Sequence, residues 1–566
     1  MRRLQLRARL RNWTGFRARE DQVAIILSLV IGMIVGLTVV AFILLTGRLA
    51  ARMYPPGSAV WRRVLIPTAG SLLTGYLLFR YFPNARGSGI PQAKFALFLQ
   101  DGYISLRTVP GKFLCCSISL ASGIALGREG PSVQMGAGIA SVLGRRFGLS
   151  VPKVKALLPV GSSAALAAAF NTPIAAVLFS LEEILGDLQA PVLGAVVLSS
   201  ATAWIVLHLI MGDHLFHVPA YQLVNPLEFG IYAILGVVGG LGSVCFVKLL
   251  LYLRIWFRQL PKSTGWLQPT AGGLLVGLMG WFVPQVLGVG YDYVDRVLSG
   301  DFPLKLVALL AVMKIIATPA CYSSGNAGGI FGPSLFVGAM IGGTVGSIAH
   351  NLLPNITANP GAYALVGMGT AFAGIVRTPL TSVIMIFEMT RDYSIVVPLM
   401  ISNLVSFFIS QRLQREPIYE ALALQEGVFL PTGESREELE GIRVSEVMET
   451  GVEPLAPEAD VASAKRHFEQ ERCNSWPVGS ATHLEGVVSA RQIETPTPCA
   501  ATLRELIGDG GDYPYVHADH PASYALERMG AKGVDVVPVV SRANIRHMHG
   551  VVSLADILAK YGVVHD

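Results

Sequence analysis

The sequence predicts an all-α polytopic membrane domain of two inverted repeats with broken helices, followed by a C-terminal α/β domain. Three observations carry this. Of 566 residues, 52% are hydrophobic and only 14% charged, whereas soluble domains carry about a quarter charged residues. Two glycine-rich blocks recur in register in the two halves of the apolar region, and the long apolar runs stop at Tyr419.

The first apolar run, residues 22–45, is long enough to cross about 30 Å of hydrocarbon at about 1.5 Å per residue and too long for a signal peptide. The seven arginines before it, Arg2, Arg3, Arg7, Arg9, Arg11, Arg17 and Arg19, place the amino terminus in the cytoplasm by the positive-inside rule. No aromatic or groove-reading pattern accompanies them, so no nucleic-acid partner is expected. The six cysteines show neither metal-ligand spacing nor a disulfide framework; no metal site is expected, and the thiols read as reduced.

Further apolar runs lie near 61–80, 111–126, 156–184, 190–211, 228–252, 269–288, 304–318, 329–351, 360–387 and 395–412, many interrupted by Gly and Pro. Broken helices are tolerated in lipid only where the freed backbone is buried in protein or lines a wet cavity, which points to a transporter or channel. Gly127-Arg128-Glu129-Gly130-Pro131-Ser132 matches Gly329-Ile330-Phe331-Gly332-Pro333-Ser334 at an offset of 202, and Gly161, Thr172-Pro173 and Glu182 match Gly367, Thr378-Pro379 and Glu388 at an offset of 206. Such repeats hold substrate at their interface. The expected domains are a basic cytoplasmic segment (1–21), a first membrane repeat (22–211), a second (227–420) and a cytoplasmic tail (421–566).

The tail has 12 Lys+Arg against 22 Asp+Glu, a net of −10, so the remainder of this +6 chain carries +16. Short β-branched strands such as 536–540 alternate there with amphipathic helices such as 462–472. Gly486-Val487-Val488-Ser489 recurs as Gly550-Val551-Val552-Ser553, which makes the tail a tandem repeat of units near 442–495 and 502–563. With an acidic, cytoplasmic tail, both termini lie inside and the number of crossings is even.

Helix starts supply positive potential without lysines, through unpaired N–H groups and the macrodipole. Three Gly-Pro loops stand before apolar runs: Gly87-Ser88-Gly89-Ile90-Pro91, Gly127-Arg128-Glu129-Gly130-Pro131 and Gly329-Ile330-Phe331-Gly332-Pro333. They read as helix starts aimed at one anion site.

These motifs, GSGIP, GREGP and GxFxP in order, together with residues 167–173 and Phe387-Glu388-Met389-Thr390, resemble the CLC family of chloride channels and transporters over residues 22–419; the tail resembles a pair of CBS domains. The resemblance implies that Ser88 and Tyr419 donate hydroxyls, and Ile330 and Phe331 donate backbone N–H groups, to a central chloride. It implies that Glu129 is the gating glutamate, Glu183 the inner proton glutamate and Lys112 a basic residue behind the anion path. Gln92 and Lys94 stand where some family exchangers carry glutamates, which puts any ion pair of Lys112 there in doubt. Glu182 and Glu388, repeat mates, read as structural. In the tail, Ser553 and Asp556 fit a CBS adenine-nucleotide pattern, whereas the first unit has Gln492 in place of the acid.

The expected function is chloride/proton antiport in a homodimer, in a bacterial plasma membrane, gated by Glu129 with Glu183 as inner relay. No cofactor is required; the tail is expected to hold at most one adenine nucleotide, with a purely structural or dimerising CBS pair as the alternative. A passive, gated chloride channel regulated by its CBS domains is the alternative, because the anion motifs serve both. A membrane metalloprotease would need HExxH, which is absent from the sequence, so no enzyme is expected.

Overall fold

The computed structural model describes residues 20–188, 191–212, 224–426, 442–471, 473–494, 502–507 and 513–560. The amino-terminal arginines thus lie outside the described residues. The chain divides into two compact units, Met1–Leu430 and Pro431–Asp566.

In the first unit, helices α1–α8 are Glu20–Met53, Arg62–Arg80, Ile90–Phe98, Thr108–Ala121, Glu129–Arg146, Val151–Phe170, Pro173–Phe179 and Leu193–Met211. Helices α9–α16 are Glu228–Gln259, Gln268–Phe282, Tyr291–Leu298, Leu304–Ser323, Phe331–Leu352, Pro360–Ile375, Pro379–Thr390 and Val396–Leu413, and α17, Ile418–Leu424, follows. Every helix of the first half has its mate eight helices on. Among the described residues, seven segments are long and apolar enough to cross a membrane. Helices of seven to nine residues such as α3 and α7 reach only about 10–14 Å and end inside the protein.

The apolar run 156–184 is not one helix. It breaks where Asn171 adopts left-handed φ 61° ahead of Thr172-Pro173, because a residue before proline is driven out of helical conformation and proline then starts the next helix. Its mate Arg377, φ 66°, breaks 360–387 in the same way.

The halves are related by a local two-fold. Gly127 and Gly329 form an antiparallel bridge, each N–H donating to the other's carbonyl at 2.7 Å. Glu182 accepts from Thr381 N at 2.8 Å at the start of α15, while Glu388 accepts from Ile174 N and Ala175 N, both at 2.9 Å, at the start of α7. Each carboxylate caps the other repeat's broken helix and complements its dipole, which is the structural role expected of this pair. Close packing is also duplicated: a Cβ on Gly136 would lie 2.1 Å from Gly161 O, and one on Gly338 2.2 Å from Gly367 O. Helix α5 therefore meets α6, and α13 meets α14, backbone to backbone, the small-residue contact that membrane helices use.

In the second unit the strands are β1 (Glu449–Thr450), β2 (Ser475–Ser480), β3 (His483–Ser489), β4 (Val536–Val540) and β5 (Met548–Ser553), with sheets β1-β5-β4 and β2-β3. Helix α18 is Val461–Glu471, one residue earlier than the amphipathic pattern suggests; α19 to α22 are Ala490–Glu494, Leu503–Ile507, Ala522–Lys532 and Leu554–Lys560. Parallel bridges Leu455–Val478 and Val516–Val539 recur in the two halves. Asp535 joins them: its carboxylate accepts from Asn474 N at 2.7 Å and Ser475 Oγ at 2.9 Å.

Candidate anion and proton site

The starts of α3, α5 and α13 come together. Gly87 and Gly89 hold φ of 83° and 109°, which glycine alone adopts cheaply. A Cβ on Gly89 would also lie 2.1 Å from Gly130 O, so the loop before α3 rests directly on the start of α5. Gln92 fixes the loop by accepting from Gly89 N at 2.8 Å. Ser88 is fully buried and its Oγ has no hydrogen-bond partner among the described residues; the same holds for Tyr419 and its hydroxyl. An unpaired buried hydroxyl costs about 1–3 kcal/mol, a cost that a hydrogen-bond acceptor placed at these two would offset. Tyr419 lies on α17, which packs on α3. Ile330 and Phe331, both fully buried, form the first turn of α13, where N–H groups lack intrahelical acceptors. The Phe331 ring is wedged 4.4 Å from that of Phe372 and 4.7 Å from that of Phe170. Neutral donors on a tightly packed frame suit a halide, holding it without trapping it as an ammonium would.

Glu129 opens α5 and is fully buried. Its carboxylate reaches across the two-fold, accepting from Gly332 N at 3.2 Å and from the Tyr291 hydroxyl, with Arg128 Nε 3.8 Å away. It therefore sits on the same helix start as the N–H groups of Ile330 and Phe331.

Glu183 lies in the π-helical turn Ser180–Leu185 that continues α7. It is not alone: Lys94 Nζ lies 2.8 Å from Glu183 Oε1 and 2.5 Å from Glu420 Oε1. Lys112 makes no ion pair among the described residues. It donates to the carbonyls of Ala85 at 3.0 Å and Gly87 at 2.6 Å, fastening the loop that carries Ser88. Lys314 does the same for Val286 and Gly288, at 3.1 and 2.6 Å. Lys94 has taken the carboxylate contacts that Lys112 lacks.

In the tail, Ser553 and Asp556 bond to each other. Ser553 Oγ donates to Asp556 Oδ2 at 2.6 Å, and Asp556 N donates to Ser553 Oγ at 3.0 Å, which caps α22. In the first unit Gln492 accepts from Ser489 Oγ and Ser489 N, both at 2.9 Å, at the start of α19.

Sequence reasoning passes over Tyr291, Lys314 and Glu420. Lys314 could have been found, since it stands 202 residues after Lys112, the offset of the first repeat block. Glu420 adjoins Tyr419. Tyr291 is the mate of Ile90 and carries no chemical signal in the sequence, because its partner Glu129 is 162 residues away.

Duplicated, interrupted helices whose starts carry orphaned donors beside a buried carboxylate define a multi-pass membrane transport protein. The family model for voltage gated chloride channels matches residues 70–411, and that for the CBS domain residues 510–562. The chain belongs to the CLC family of chloride channels and transporters. It is 34% identical over 366 residues to the H(+)/Cl(-) exchange transporter ClcA of Vibrio campbellii, covering 63% of this chain and 78% of that one. It is 33% identical over 374 residues to ClcA of Vibrio cholerae, covering 64% and 79%. Among solved structures, a slow cyanobacterial Cl-/H+ antiporter matches with TM-score 0.66 at 27% identity, covering 71% of this chain and 97% of its own. A eukaryotic CLC transporter shares the fold with TM-score 0.67 at 20% identity, over 94% of this chain and 97% of its own.

Proposed function

We propose that this protein exchanges chloride for protons, with Glu129 as outer gate and proton acceptor and Glu183 as inner relay. The observation that carries this is the position of the Glu129 carboxylate on the first turn of α13, beside the donors that a chloride at Ser88 and Tyr419 would use. A carboxylate and an anion compete for one positive helix end. Protonation weakens the carboxylate's hold, so anion entry is tied to proton uptake. Glu183, buried in the apolar domain and joined to Lys94, offers the second stop a proton needs; ionisable groups at such depth are functional by default. Lys112 sets the potential behind Ser88 by holding its loop. The relatives named as H(+)/Cl(-) exchange transporters support the same reading.

The test is an imposed chloride gradient across liposomes holding the purified protein: exchange drives protons uphill and shifts the reversal potential with pH. A reversal potential unmoved by a pH gradient would make the protein a passive, gated channel.

We further propose a homodimer in a bacterial inner membrane with one pathway per subunit and both termini cytoplasmic, its working domains being residues 22–211, 227–420 and the CBS pair from 421. An adenine nucleotide at the tail would meet Ser553 and Asp556, whose mutual hydrogen bonds engage Asp556 Oδ2. Binding of ATP or AMP that survives Asp556→Ala would remove that site.

A further inference from the structure

We propose that Glu420 is a second proton-carrying carboxylate of the inner site, sharing the ammonium of Lys94 with Glu183. The inference rests on the reading of Glu183 as inner relay and adds a residue to it.

Three ionisable groups meet where the protein is dry: the side chains of Lys94, Glu183 and Glu420 are 5%, 6% and 9% exposed. They come from three elements. Lys94 is on α3, directly beyond the loop that carries Ser88; Glu183 is on the π-helical turn; Glu420 is on α17, next to Tyr419. One ammonium and two carboxylates leave one negative charge over when both acids are ionised. Among the described residues no other cation bonds either acid, and an uncompensated buried charge is strongly unfavourable. One proton held by the pair makes the cluster neutral.

The oxygens are placed for that proton. Lys94 Nζ bonds Glu183 Oε1 and Glu420 Oε1, so the two carboxylates lie within the span of one ammonium. Glu420 Oε2 is buried and has no hydrogen-bond partner among the described residues. It is the open acceptor of the cluster, and a proton bound there creates no new unpaired charge.

The transfer balances without any co-reactant. A hydronium ion of the aqueous phase gives up one O–H bond and leaves as water while an O–H bond forms at Glu420 Oε2, leaving Lys94 paired with ionised Glu183. The proton then passes to Glu183, directly or through one water, as the ammonium tightens on the Glu420 carboxylate. In that hand-over one O–H bond breaks and one forms while the cluster stays neutral; its charge changes, between −1 and 0, only when the proton enters or leaves. Glu420 adjoins Tyr419 on α17, so the cluster and the hydroxyl proposed for the anion site share one short helix.

The experiment measures chloride efflux and proton uptake in liposomes for the wild type, Glu420→Gln, Glu420→Ser, Glu420→Asp and Glu183→Gln. Chloride efflux itself reports that a variant is folded, and two neutral substitutions of different size guard against misfolding of one. The expected result is that neutral variants at 420 pass chloride within about threefold of wild type but move at least about fivefold fewer protons per chloride. Glu420→Asp restores most of the coupling, which a purely packing role would not require. Wild-type coupling in a chloride-conducting Glu420→Gln or Glu420→Ser overturns the proposal. The two readings fail separately: retained coupling in Glu183→Gln sinks the Glu183 relay, whereas lost coupling there with full coupling in the 420 variants sinks only the role of Glu420.

Discussion

The hydroxyl of Tyr291 donates a hydrogen bond to Glu129 Oε1, and the guanidinium of Arg128 lies 5.2 Å over the same tyrosine ring. A phenol from the second repeat thus holds the carboxylate that opens the first repeat's α5. A hydrogen bond to a charged group contributes about 1.5–3 kcal/mol, and about 1.4 kcal/mol is tenfold in an equilibrium.

Tyr291→Phe removes that hold while keeping the ring under Arg128. Chloride turnover at neutral pH is expected to rise by about tenfold, with coupling to protons retained, as measured by chloride efflux from liposomes. Turnover equal to wild type would show that Gly332 N and Arg128 position the gate without the phenol.

Glu129→Gln keeps the shape of the side chain and removes its titration. Chloride passage is expected to persist with proton movement abolished. Uphill proton transport by this variant would remove Glu129 from the proton route.

Gly338→Ala tests the duplicated backbone contact. A methyl 2.2 Å from Gly367 O forces α13 and α14 apart, and overpacking of this kind costs about 1–3 kcal/mol or more. The expected outcome is a clear loss of thermal stability in detergent, by fluorescence-detected size exclusion. Gly194→Ala, with open space at its Cβ, serves as the neutral control.

Asp535→Ala removes the carboxylate part of the link between the tail's two units, leaving the backbone N–H donors of residues 535 and 536 on Asn474 and Ser475. Loss of the bonds to Asn474 N and Ser475 Oγ removes two hydrogen bonds to a charged group, each contributing about 1.5–3 kcal/mol, while Ser475 Oγ keeps Val536 O at 3.3 Å as acceptor. Faster proteolysis within residues 442–560, with chloride transport by the membrane unit intact, is the result to look for.

Asp519 gives a pH signature. Its hydrogen bond to Arg542 pulls its carboxyl down to about 2. A depressed folded-state value contributes stability that is full above the usual aspartate range, about 4, and is lost as pH falls through about 2. The melting difference between wild type and Asp519→Asn should therefore be present at pH 7 and shrink between about pH 4 and 2.

Much of this was legible in the sequence because its physics is local or repeated. Apolar length marked the membrane helices, Gly-Pro loops marked their starts, and the offsets of 202 and 206 marked the duplication. Where helices break was less legible: Asn171 and Arg377 interrupt runs that read as continuous, and only the following Thr-Pro pairs hint at it. The polar cluster around Lys94 was hidden for a different reason. Its three members lie 89 and 326 residues apart in the chain, and nothing local distinguishes a lysine that pairs with carboxylates from one that, like Lys112, binds carbonyls.

The two lysine-fastened loops have a further consequence. Gly87-Ser88-Gly89-Ile90 and Gly288-Val289-Gly290-Tyr291 are repeat mates, with both glycines of each at positive φ and a lysine tying each to the scaffold. One loop brings a hydroxyl at its second position, the other at its fourth; Glu129 itself has Phe331 as its mate. A duplicate with identical loops would read the same from either face of the bilayer. These few exchanged side chains give a two-fold frame a front and a back, and with them a direction in which substrate and gate are met.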